Sequence, residues 1–274
     1  MKDFYVKHKI ISPIGGEDYY QEVPASYMNK LSRRGELKDS ENVVAFIKGT
    51  EKPDEIIVIS AHLDHVGMNK DGEVFNGADD DGSGTIAVLE IAEAFKKAVN
   101  DGHGPKRSIL FLHVTGEEKG LLGSRYYTEN PIFPIANTIA NLNIDMIGRV
   151  DERHKGNPNY VYLIGSDKLS TSLHEVSEAM NTKYTSLELD YKYNDENDPN
   201  RFYYRSDHYN FAKLNVPIIF YFNGTHADYH KETDTPDKIN YEQLETRTRL
   251  VFHTAWEVAN REATIVADKV KKTE

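Results

Sequence analysis

A single-domain, three-layer α/β/α fold with a central mixed, mostly parallel sheet is predicted by three features of this sequence. Short apolar runs rich in β-branched residues recur along it, stretches of helical spacing separate them, and several of the short runs are apolar on both faces. Strands buried on both faces are typical of a sheet that helices cover from both sides. The 274 residues, 39% hydrophobic and 28% charged, suit one such domain with a sizeable core. Residues 1–40, broken by Pro13, Gly15, Gly16 and Pro24, read as an irregular N-terminal arm with one short helix at 27–33, and 41–274 as the domain itself.

The pattern predicts strands at 43–48, 55–61, 108–114, 139–144, 160–164 and 216–222. Ser83 stands where it would cap a helix whose apolar face, with Ile86, Leu89 and Phe95, runs up to Gly102. Shorter helices are expected at 169–181 and 207–214. A long one is expected at 241–261, where Leu244, Val251, Ala255 and Val258 repeat at helical spacing. The acidic, turn-forming segment 190–201, DYKYNDENDPNR, reads as a long loop. His113, inside a strand, and Trp256, on the last helix, are expected in the core.

Thirty-three basic against 44 acidic side chains give a net charge of −11, which lacks the electropositive footprint that phosphate backbones require. Nucleic acid and anionic membranes are therefore excluded as expected partners. No run approaches the roughly 20 apolar residues of a membrane span, and the first residues, MKDFYVKHKIIS, hold no apolar core of the kind a signal peptide needs. With no cysteine in the chain, any metal must be held by His, Asp and Glu.

Acids and histidines that invite a chemical reading fall just after predicted strands, where loops of an open α/β sheet converge. His62-Leu63-Asp64-His65 follows the second strand; Asp64 is placed to accept from a metal-binding His62, and spacing leaves open which histidine is the ligand. Asp79-Asp80-Asp81 sits in a glycine-rich loop that opens a helix; helix capping explains one acid, and a divalent cation is the simpler account of three that would otherwise repel. An oxygen-only calcium site is the alternative, but the EF-hand spacing is not met. Glu117-Glu118 follows the third strand, and such a pair can divide into a ligand and a proton acceptor. Asp145 ends an apolar strand, where an unsatisfied carboxylate is costly. The segment from His226 to Thr235, which holds His230, follows the last strand. Two histidines and three carboxylates from five strand ends suit two zinc ions that share one carboxylate.

AHLDH, GADDDGSG, TGEEKGLLGS, NIDMIG and DYHKETDT, in this order and spacing, resemble the two-zinc aminopeptidase family of secreted bacterial leucyl aminopeptidases, related to glutamate carboxypeptidase II, transferrin receptor and glutaminyl cyclase. The resemblance runs from Val43 to the C-terminal helix. It implies that Asp80 bridges two zinc ions, that His62 and Asp145 complete one, and that Glu118 and His230 complete the other. Glu117 would be the general base, Asp64 would orient His62, Tyr229 would hydrogen-bond the developing oxyanion and Arg205 would hold substrate. A cis peptide between Asp80 and Asp81 is implied as well.

The activity implied is that of a zinc-dependent aminopeptidase, a metallo-exopeptidase that removes the N-terminal residue of peptides with a water bridging two zinc ions. Its partners would be peptides with a free N-terminus, its state a monomer and its location secreted or periplasmic. Three rivals are a single-zinc glutaminyl cyclase, against which His62, Asp145 and the GEEKGLLGS motif count, a non-catalytic binding homologue, against which five competent ligand positions and a competent base count, and a carboxypeptidase relative, which needs basic residues to hold a substrate carboxylate and finds only Arg205. Tyr191, Tyr193, Phe202, Tyr203 and Tyr204 are candidates for an apolar specificity pocket. Asp207 and His208 read either as support for the site or as a helix start.

Overall fold

The computed structural model of the chain describes residues 1–31 and 36–270. Its strands are β1 (Tyr20–Val23), β2 (Ser40–Ile47), β3 (Lys52–His62), β4 (Gly67–Met68), β5 (Val74–Phe75), β6 (Arg107–Val114), β7 (Thr138–Ile144), β8 (Tyr160–Ile164), β9 (Glu188–Asp190) and β10 (Ile218–Phe222). Eight of them form one sheet in the order β1-β2-β6-β3-β7-β10-β8-β9, and β4 pairs with β5 in a small separate hairpin. The four central strands β6, β3, β7 and β10 are mutually parallel, whereas β1, β2 and β8 join antiparallel. The α/β class with a mixed, mostly parallel sheet is as the sequence predicts.

The helices are α1 (Lys2–Lys7), α2 (Ala25–Leu31), α3 (Gly84–Asn100), α4 (Leu122–Glu129), α5 (Thr171–Met180), α6 (His208–Ala212) and α7 (Tyr241–Asn260). Alternation along β6 shows how they cover the sheet, because successive side chains of a strand point to opposite faces. Ile109 and Phe111 pack with Ala87, Ile91 and Phe95 of α3 and Val251 and Ala255 of α7. Leu110, Leu112 and Val114 pack the other way, with Tyr127 of α4 and Phe211 and Ala212 of α6. His113 is fully buried and bonds Tyr5 Oη at 2.6 Å.

The arm departs from the irregular segment expected. It carries α1, α2 and the edge strand β1, and Tyr5 and Tyr19 are buried against the sheet with their rings stacked 6.0 Å apart. Of the helix expected at 27–33, residues 32 and 33 lie outside the described residues. Ser83 also differs: it makes no capping bond, and Asp81 Oδ1 instead accepts from the Gly84 amide at 2.9 Å. Ser83 Oγ is engaged elsewhere, donating to Asp79 O and accepting from the Ile147 amide. Among the described residues no helix is long and apolar enough to cross a membrane.

Candidate metal centre

Because β3, β6, β7 and β10 run parallel, their carboxyl ends open on the same edge of the sheet, and the loops beyond them meet there. His62 is the last residue of β3, Asp145 follows β7, Glu117 and Glu118 follow β6, and His226 to His230 follow β10. The loop Asp79–Asp81, ahead of α3, enters from the side, with a cis peptide between Asp80 and Asp81.

At the centre is the Asp80 carboxylate, 3% exposed. Its Oδ1 lies 3.1 Å from His62 Nε2, which is itself 3.7 Å from Asp145 Oδ1. Its Oδ2 lies 3.0 Å from His230 Nε2 and 3.8 Å from His65 Nδ1. Glu118 Oε1 closes that side, 3.0 Å from His230 Nε2 and 3.1 Å from His65 Nδ1. Two groups therefore have the donor types and proximity a metal ion needs: His62, Asp80 and Asp145, and His65, Asp80 and Glu118. Asp80 belongs to both.

Several buried atoms here, His62 Nε2, Asp80 Oδ2 and both ring nitrogens of His65, converge without an aligned hydrogen bond. Orphaned buried polar atoms are costly, and cations shared with Asp80 would satisfy His62 Nε2, Asp80 Oδ2 and His65 Nδ1 together. The donor set, imidazole nitrogen with carboxylate oxygen and no sulfur, suits zinc. The residues present thus fit a metal pair.

Electrostatics point the same way. Burial opposes charge on both sides of each contact, yet the imidazoles of His230 and His62 hold Asp80 well below the usual carboxylate range, and those of His230 and His65 hold Glu118 down to about 2. Against burial again, Asp80 and Glu118 lift His230 to about 9, and Asp145 and Asp80 lift His62. Burial, reinforced by Asp145, Asp207 and Glu118, pushes the Glu117 carboxyl up. Burial likewise pushes Asp207 up to about 7.

The three adjacent aspartates do not jointly call for a cation, as their sequence suggests. Asp81 is satisfied by the amides of His62, Gly84 and Met146. Asp79 accepts from the Gly148 amide at 2.6 Å and lies 3.2 Å from His226 Nε2. Of the three, Asp80 faces the cluster of histidines and carboxylates. Asp64 is also placed differently from expectation: its carboxylate is 3.9 Å from His62 Nδ1, whereas its backbone carbonyl is bonded to that nitrogen at 2.9 Å. The carboxylate instead accepts from the amides of Glu117, at 3.0 Å, and Glu118, at 3.4 Å, and so fixes the loop that carries both glutamates.

A small pocket adjoins the cluster, lined by Asp80, Glu117, Asp145, Tyr229 and His230 and by the apolar side chains of Met146, Phe202, Phe220 and Phe222. Tyr229 stacks on His230 at 3.9 Å between ring centres, and Arg205 Nη2 donates to Tyr229 Oη at 3.4 Å. Of the aromatic candidates, Phe202 lines this cavity, Tyr193 packs behind it, and Tyr204 lines a second cavity beside Glu117 and Glu118. Tyr191 lies away, bonded to Glu178 of α5. Two supports had no distinct sequence signal: the His226–Asp79 contact, and Arg149, which ties Asp228 at 2.8 Å to Asp234 at 3.5 Å. Asp234 in turn accepts from the amides of Asp79 and Asp80.

Residues 42–255 match the profile of peptidase family M28. The chain belongs to that family. Its relatives include the leupeptin-inactivating enzyme 1 of Streptomyces exfoliatus, 31% identical over 191 residues that make up 69% of this chain and 37% of the relative. Similar folds are seen in a zinc aminopeptidase from Bacillus subtilis (TM-score 0.65, 24% identity, covering 85% of this chain and 54% of the other). A leucine aminopeptidase precursor from Bacteroides thetaiotaomicron is similar too (TM-score 0.69, 18% identity, 93% and 86%). The chain thus spans well under half the length of the Streptomyces relative.

Proposed function

We propose that this chain is a metallo-aminopeptidase that holds two zinc ions and hydrolyses the N-terminal residue of peptides. The observation that carries the reading is that one buried carboxylate, Asp80, is shared by two separate groups of metal-type donors at the wall of a cavity. His62, Asp80 and Asp145 would hold one ion, and Asp80, Glu118 and His230 the other. When bound, zinc supplies a Lewis acid for the scissile carbonyl and a water acidic enough to react near neutral pH. The remaining work falls to the protein.

Glu117 lines both cavities at the cluster, and it takes the proton of the attacking water and returns it to the departing amine. Asp64, through the amides of Glu117 and Glu118, keeps that carboxylate in reach. The Tyr229 hydroxyl, on the cavity wall beside His230, donates to the oxyanion as it develops, and Arg205 orients Tyr229 and contacts substrate. Acidic groups at the cavity suit a free N-terminal ammonium, and the apolar lining of Met146, Phe202, Phe220 and Phe222 favours an apolar first side chain. The resemblance adds a monomeric state and a secreted or periplasmic location.

The test is a mass-spectrometric panel with the zinc-loaded protein: peptides with free, N-acetylated and C-amidated ends, and peptides that begin with Leu, Phe, Lys or Gln. Loss of the first residue from free and amidated peptides, blocked by acetylation and fastest for Leu or Phe, is the expected result. Release from the C-terminus, or cyclisation of N-terminal Gln without hydrolysis, would contradict it.

A further inference from the structure

His65 has no task in this proposal, yet it is one of the more constrained side chains of the cluster. Its ring is 9% exposed and neither nitrogen makes an aligned hydrogen bond. Nδ1 is aimed at the space between Glu118 Oε1, 3.1 Å away, and Asp80 Oδ2, 3.8 Å away. His230 Nε2 reaches the same two oxygens at 3.0 Å each. The two rings meet edge to face, at 76° with centroids 5.5 Å apart, so they converge on the carboxylates and do not stack on each other. Room for the His65 ring is made by Gly77, which has φ of +63° and at which a Cβ would fall 2.6 Å from His65 Cγ. Any other residue at 77 would push the ring out of place.

Resting on the two-zinc reading above, we infer that His65 is a fourth protein ligand of the ion held by Asp80, Glu118 and His230. Zinc bonds of about 2.0–2.2 Å in a tetrahedron put ligand atoms roughly 3.4 Å apart. The contacts of 3.0, 3.0, 3.1 and 3.8 Å among these four groups surround that spacing. The other group, His62, Asp80 and Asp145, offers three protein ligands. A fourth protein ligand holds that ion more firmly than three hold the other, and expansion to five-coordination still leaves room for water. The two ions are therefore unequal: the His65 site fills first and empties last, and the His62 site exchanges.

Calorimetric titration of the metal-free chain with zinc tests this. The wild type is expected to take up two ions, one tightly and one more weakly. His65→Ala should weaken the tight step by more than about 100-fold, since loss of an outer partner alone costs 10- to 100-fold, and leave the weaker step within a few-fold. Two unchanged steps in His65→Ala would overturn the inference and leave the two-zinc reading standing. Fewer than two zinc ions on the wild type would overturn that reading and the inference with it. X-ray absorption on wild-type protein carrying one equivalent of zinc needs no variant: two imidazoles around the ion are expected, and one would overturn the assignment of His65.

Discussion

At the scale of single residues, neighbours in sequence do different work because the backbone turns them in different directions. Asp81 is spent on three amides, Asp79 on one amide and His226, and Asp80 alone is left to the cluster. Glu117 and Glu118 divide in the same way: Glu118 contacts two imidazoles, and Glu117 lines the cavity. Replacing Glu117 by Gln keeps the shape and removes the proton acceptor, so kcat should fall by about 10²- to 10⁴-fold with zinc content unchanged. Steady-state kinetics with metal analysis on the same sample checks this, and near-normal turnover would remove Glu117 from its role. The residue types at the site were legible in the sequence, since acids and histidines gathered at strand ends suit few roles besides metal binding. Roles that depend on direction were not: spacing could not choose between His62 and His65, nor show that Asp64 reaches His62 through its carbonyl and the glutamate loop through its carboxylate.

At the scale of elements, the site depends on supports outside it. The buried guanidinium of Arg247, on α7, donates to the carbonyls of Tyr160, Ile147 and Arg149 at 2.7 Å each and to Pro158 at 3.3 Å. It thereby fixes the backbone that follows Asp145. Arg247→Met leaves four carbonyls without their donor, at about 1 kcal/mol or more each, and should destabilise the chain by about 3–5 kcal/mol in urea titration. A loss under about 1 kcal/mol would show that water replaces these bonds. The six strands read from the sequence are each buried along most of their length, and of the five helices expected the two longest, α3 and α7, carry the most buried apolar side chains. The elements missed are β1, β4, β5, β9, α1 and α4; the four strands among them have four residues or fewer and are largely exposed, so no apolar run marks them, and they gain their order from pairing, as β1 does from β2 and β4 from β5.

For the whole molecule, the same burial that shapes the core sets its response to acid. Burial pushes the imidazoles of His113 and His208 down to about 3, from an ordinary value near 6.5. Both are neutral in the folded chain, so below pH 6.5 the unfolded chain binds more protons and stability falls as pH drops towards 3. The contribution is fully present above pH 6.5. In His113→Gln the acid limb of stability against pH should be shallower by about 1.4 kcal/mol per pH unit between 6.5 and 3. A limb parallel to that of the wild type would mean that His113 is protonated in the fold.

Whether two metal ions do the chemistry is decided by counting zinc per chain while a chelator is titrated and hydrolysis of a leucyl peptide is followed on the same sample. About two zinc ions at full activity, loss of turnover as they are removed and its return on adding zinc back are the expected results. Full turnover in a metal-free chain would show that the Asp80 cluster is not a catalytic metal centre.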